Sequence, residues 1–107
     1  MLKCLSIQMQ PDLDDSHSEQ EVIDRVKTLG RFPEVDLIEE DQRFVNLNFF
    51  TEELPVLWRE LQQGLLQDDE LGAWVKKVSI IVCEGDKSWD DYLLLSHPDA
   101  SEKLDSL

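Results

Sequence analysis

The period of the apolar residues changes along this chain, and that change constrains the fold more than any other feature. Within Leu2–Met9, Leu5, Ile7 and Met9 point one way while Cys4, Ser6 and Gln8 point the other. A repeat of two is the signature of a half-buried strand, β1. Pro11 and the acids Asp12, Asp14 and Asp15 break the run. The spacing then widens: Val22, Ile23, Val26 and Leu29 fall on one helical face, so a helix follows. Ser18 and Glu21 fit a capping box, in which each side chain bonds the other's free backbone N–H, and Gly30 fits a C′ stop.

The period of two returns in Val35–Glu40 and Phe44–Phe50, joined by a polar turn at Asp41–Gln42. In the second segment Val45, Leu47 and Phe49 alternate with Asn46, Asn48 and Phe50. Thr51, Glu52 and Glu53 offer a cap and favourable charge to the next helix, whose stripe is Leu54, Leu57, Trp58, Leu61 and Leu65. Asp68, Asp69 and Glu70 would oppose the dipole at the end of that helix. They suit the start of a separate short helix ending near Lys76 and Lys77. Val78–Glu84 is a strand with the most apolar run of the chain.

The order β-α-β-β-α-β predicts an α+β domain of the ferredoxin-like split βαβ plan. Right-handed crossovers give an antiparallel sheet ordered 4-1-3-2 with helices on one face. Residues 1–98 read as one domain and 99–107 as a flexible tail. The segment 88–95 reads as a short helix capped by Ser88 and Asp91, with an edge strand over Tyr92–Leu95 as the alternative. This plan hosts many functions and transfers none.

At 107 residues, 41% hydrophobic and 32% charged, the chain can bury a core without disulfides. No apolar run is long enough to span a bilayer, and the N-terminus lacks a continuous apolar signal region, so a cytoplasmic protein is expected. The net charge of −14 sets a field that repels nucleic-acid backbones and anionic membranes. The partner it favours is a basic protein.

No cofactor or metal is expected, and no catalytic residue stands out. Asp12-x-Asp14-Asp15-x-His17 resembles metal-ligand spacing but fails as an EF-hand, which needs Gly at loop position six and Glu at position twelve. Neither Cys4 nor Cys83 belongs to a CxxC pair, and a thiolate–imidazole pairing of Cys83 with His17 or His97 lacks any supporting motif. Trp58 and Trp74 sit at core spacings, whereas Trp89 reads as a plug at the end of the sheet or a ligand platform.

Assembling the elements predicts two composite surfaces. One end of the domain collects Asp12, Asp14, Asp15, Glu39, Glu40, Asp41, Asp68, Asp69 and Glu70, an acidic pole opposed nearby by Arg43, Lys76 and Lys77. The sheet face left bare by the helices shows Cys4, Ser6, Gln8, Ile38, Phe44, Asn46, Asn48, Phe50, Ile81 and Cys83, with Leu5, Ile7, Ile80 and Val82 packed beneath the helices. That mixture suits a protein contact, including a homodimer. Cys4 and Cys83 are thus expected side by side across neighbouring strands. The function expected is a non-enzymatic interaction or regulatory module of immunity or inhibitor type. A small-molecule-binding or enzymatic domain using the bare sheet face is the alternative.

Overall fold

A computed structural model describes residues 2–85 and 91–107. Its elements are β1 (Lys3–Met9), α1 (Glu19–Thr28), β2 (Glu34–Glu39), β3 (Arg43–Thr51), α2 (Leu54–Gly64), α3 (Glu70–Val78), β4 (Ser79–Glu84) and β5 (Tyr92–Ser96). The chain is α+β. Among the described residues, no helix is long and apolar enough to cross a membrane.

The sheet has five strands in the order β2-β3-β1-β4-β5, each antiparallel to its neighbours. Read from the other edge the order is 5-4-1-3-2: β4, β1, β3 and β2 are neighbours in the expected sequence, and the sheet differs from the four-stranded ferredoxin-like plan by the fifth strand added beside β4. The helix expected over 88–95 is replaced, from Tyr92 on, by β5. A bulge explains the change: Ile81 pairs with Ser96 and Val82 with Leu94, which leaves Leu95 as the extra residue with its side chain buried. Leu93 also packs on the core, so three consecutive leucines serve an edge strand whose bulge breaks simple alternation. The expected cap at Ser88 and the placement of Trp89 lie outside the described residues.

Local signals account for the helices. Ser18 caps α1 through the full capping box: its hydroxyl accepts the Glu21 N–H at 3.4 Å, and Glu21 Oε2 accepts the Ser18 N–H at 2.7 Å. Gly30, at φ 80, ends the helix in the left-handed region. The Gly30 and Arg31 N–H groups close back on the Lys27 and Val26 carbonyls, as a Schellman stop requires. The N-cap of α2 is Glu53, without a side-chain bond. Thr51 instead accepts the Glu53 N–H at the end of β3. Asp69 caps α3 by accepting the Gly72 N–H at 2.8 Å. A Cβ on Gly72 would lie 2.2 Å from the Gln67 carbonyl oxygen, so the tight reversal from α2 into α3 depends on that glycine.

The core lies between the helices and one face of the sheet. Leu5, Ile7, Met9, Val45, Leu47 and Phe49 meet Val22 and Val26 of α1, Leu54, Leu57 and Leu61 of α2, and Leu71, Trp74 and Val75 of α3. Strand β4 enters this core one residue out of phase with the sequence expectation. Ile81 is 0% and Cys83 1% exposed, and they pair with Ile7 and Leu5 on the helix side. Ile80 and Val82 take the bare face instead. The physical reason is that α3 runs on through Val78, itself buried, so the strand starts at Ser79, whose buried hydroxyl donates to the Val75 carbonyl. Cys4 and Cys83 consequently face opposite sides of the sheet as free thiols, not the same side as expected.

Candidate functional site

The bare sheet face carries a row of polar groups that runs across four strands. Asn48 donates from Nδ2 to Asp36 Oδ2 at 2.9 Å, and Ser6 Oγ donates to Asn48 Oδ1 at 2.6 Å. The Cys4 thiol lies 3.5 Å from Ser6 Oγ, and the Cys4 backbone N–H donates to Glu84 Oε2 at 3.2 Å. Alternation puts these side chains on one face, and the strand registers bring them abreast. Phe44 and Phe50 flank the row as exposed aromatics on β3, and Tyr92 as another on β5. Of the residues expected here, Cys4, Ser6, Gln8, Ile38, Phe44, Asn46, Asn48 and Phe50 lie on this face, while Ile81 and Cys83 lie in the core. Sequence reasoning passed over Asp36, Ile80, Val82 and Glu84 on this face. For Asp36 a signal existed, since it alternates with Val35 and Leu37 in β2.

Burial pushes the Cys83 thiol up to about 11. It is a packed, protonated side chain, not a nucleophile. The imidazoles proposed as its partners are engaged elsewhere. His97 Nδ1 accepts the Asp99 N–H at 3.0 Å, and His17 Nδ1 lies 3.3 Å from Glu21 Oε1.

The acids expected to gather at one end of the domain divide into two groups. Asp14 bonds Lys77 Nζ at 2.7 Å, and the Ser16 N–H donates to it at 2.9 Å; the Lys77 ammonium, then Ser16, holds its carboxyl far below the ordinary carboxylate range. Asp69 accepts from Arg25 Nη1 at 2.7 Å, and the Gly72 N–H, then Arg25, lowers its pKa. Arg43 lies 3.8 Å from Asp12 and bonds Glu19 closely. The second group is Asp15, Glu39, Glu40, Asp41, Asp68 and Glu70, all exposed and without an ion-pair partner among the described residues. The β1–α1 loop does approach the β2–β3 turn, where Gln10 Nε2 donates to Gln42 Oε1.

Between the β1–α1 loop and α3 lies an open groove of about 460 Å³ lined by Asp14, Ser16, His17, Glu70, Ala73, Trp74 and Lys77. The Trp74 indole N–H donates to the Asp14 carbonyl at 2.7 Å, and the His17 ring meets Trp74 edge-on at 6.0 Å. Within the Asp12–His17 segment, Asp12 lies nearest Arg43 and Asp14 bonds Lys77, so the two carboxylates face different cations. Among the described residues, no group of three or more His, Cys, Asp or Glu could hold a metal ion. No protein family, curated protein or solved structure matches this chain.

Proposed function

We propose that this chain is a non-enzymatic interaction module of immunity or inhibitor type that binds a basic protein. The observation that carries this reading is the imbalance at the acidic pole. Arg25, Arg43 and Lys77 are already engaged by Asp69, by Asp12 and Glu19, and by Asp14, while Lys76, expected to oppose the pole, instead lines a groove with Trp58, Leu95 and His97. The exposed acids that remain project an uncompensated negative field, which steers a cationic partner and accelerates encounter. Cytoplasmic location is part of the proposal.

A second reading, a small-molecule site on the bare sheet face, draws on the shallow depression lined by Cys4, Ser6, Gln8, Val82, Glu84 and Tyr92. Ser6 already bonds Asn48, and Glu84 accepts the Cys4 N–H, which leaves few convergent groups to orient a ligand. A homodimer through Phe44 and Phe50 would use the same face, against the repulsion of −14 per chain.

Affinity capture from native lysate at low and high salt tests the reading, followed by association kinetics with the recovered partner. Replacing Asp15, Glu39, Glu40 and Asp41 by Asn or Gln should slow association by about tenfold at low salt with little change in dissociation. Binding indifferent both to salt and to these changes would reduce the pole to a solvated surface.

A further inference from the structure

The two edges of the sheet are finished differently. At the β5 edge the C-terminal segment returns and closes the backbone. The Asp105 N–H donates to the Leu94 carbonyl at 2.8 Å, and the Asp105 carboxylate accepts the Leu94 N–H at 2.8 Å. At the other edge β2 pairs with β3 on one side, and among the described residues nothing bonds its outer side. Every second residue of such a strand turns its N–H and C=O outward, ready to pair with another strand.

The side chains of β2 say what kind of strand fits. All six residues are exposed. On the bare-face side stand Glu34, Asp36 and Ile38. On the helix side stand Val35 and Leu37, 49% and 57% exposed because the helix layer does not cover this edge. A second copy of the chain is disfavoured. Two-fold antiparallel pairing centred on Asp36 sets that carboxylate against itself, and pairing centred on Leu37 sets Glu34 against Glu40; like charges directly opposite destabilise a ladder.

We infer that the outer edge of β2 accepts an extended segment of the basic partner as an added strand. In that segment Lys or Arg alternates with aliphatic residues. The cations lie opposite Glu34 and Asp36, and the aliphatic side chains cover Val35 and Leu37. Main-chain bonds supply affinity and the alternating side chains supply specificity. This inference rests on the basic-partner reading and adds to it a place and a conformation.

The test uses the full chain and two synthetic peptides of identical lysine and valine content, one alternating and one with the residues in blocks. Amide hydrogen exchange and chemical shifts are followed at low salt. The alternating peptide should slow exchange of the outward amides of residues 34–39, and the double variant Glu34→Gln, Asp36→Asn should weaken its binding by about tenfold. The block peptide should leave those amides unprotected. Strand addition is refuted if the alternating peptide shifts the amides around Asp15 and Asp41 while β2 exchanges as before. The basic-partner reading survives that result. Binding by neither peptide at low salt would refute both.

Discussion

Replacing Ile81 by Ala should cost far more stability than replacing its neighbour Ile80, and the comparison decides which face of β4 is buried. Ile81 is fully buried against Ile7 in the centre of the sheet, whereas Ile80 lies on the bare face beside Gln8 and is partly exposed. Truncation of Ile81 removes three carbons from the core, a transfer loss of about 2.4 kcal/mol at ~0.8 kcal/mol per methylene. The cavity left behind raises the total to about 3–4 kcal/mol. Ile80→Ala forfeits mainly strand preference and partial burial, about 1 kcal/mol. With an unfolding entropy near 2.1 cal/mol/K per residue, each kcal/mol moves Tm by about 4–5 °C in a chain of this length. Thermal unfolding followed by circular dichroism should therefore show losses of roughly 12–18 °C and about 5 °C respectively. Urea titrations should show lowered midpoints at similar slopes. Equal losses, or a greater loss for Ile80→Ala, would mean that β4 is phased the other way. The assignment of both sheet faces would fall with it.

Thiol labelling under native conditions should find Cys4 reactive and Cys83 protected, since Cys83 is buried and its thiol is pushed up to about 11; two equally fast thiols would contradict that placement. Acid should weaken the loop–helix contact of Asp14 with Lys77. The folded pKa of Asp14 lies below its ordinary 3.8, so its contribution is present above that value and is lost as pH falls below it. The stability gap between the native chain and Lys77→Gln should accordingly narrow as pH drops through that range. The comparison cancels the general relief of acidic repulsion, and a gap independent of pH would show that the pair contributes nothing.

Where the sequence carried one periodicity at a time, it was sufficient. The alternation of Leu5, Ile7 and Met9, and of Val45, Leu47 and Phe49, identifies their buried face, because a strand that exposes polar residues on one side has one workable phase. The Ser18–Glu21 box and Gly30 mark the limits of α1, because capping is settled within a few residues. The run from Val78 to Cys83 is apolar at nearly every position and holds no phase information. The extent of α3 and the pairing with β1 decided that Ile81 and Cys83 go inside. Tyr92–Ser96 became a strand because the free edge of β4 and a bulge at Leu95 gave its leucines a surface to bury, which a short apolar run cannot reveal alone. The excess of acid was fixed by composition. Which acids are neutralised by Arg25, Arg43 and Lys77, and which are left on the open edge of β2, depended on segments far apart in sequence meeting in space. Ion pairs and strand edges are properties of the assembled sheet, and local sequence does not encode them.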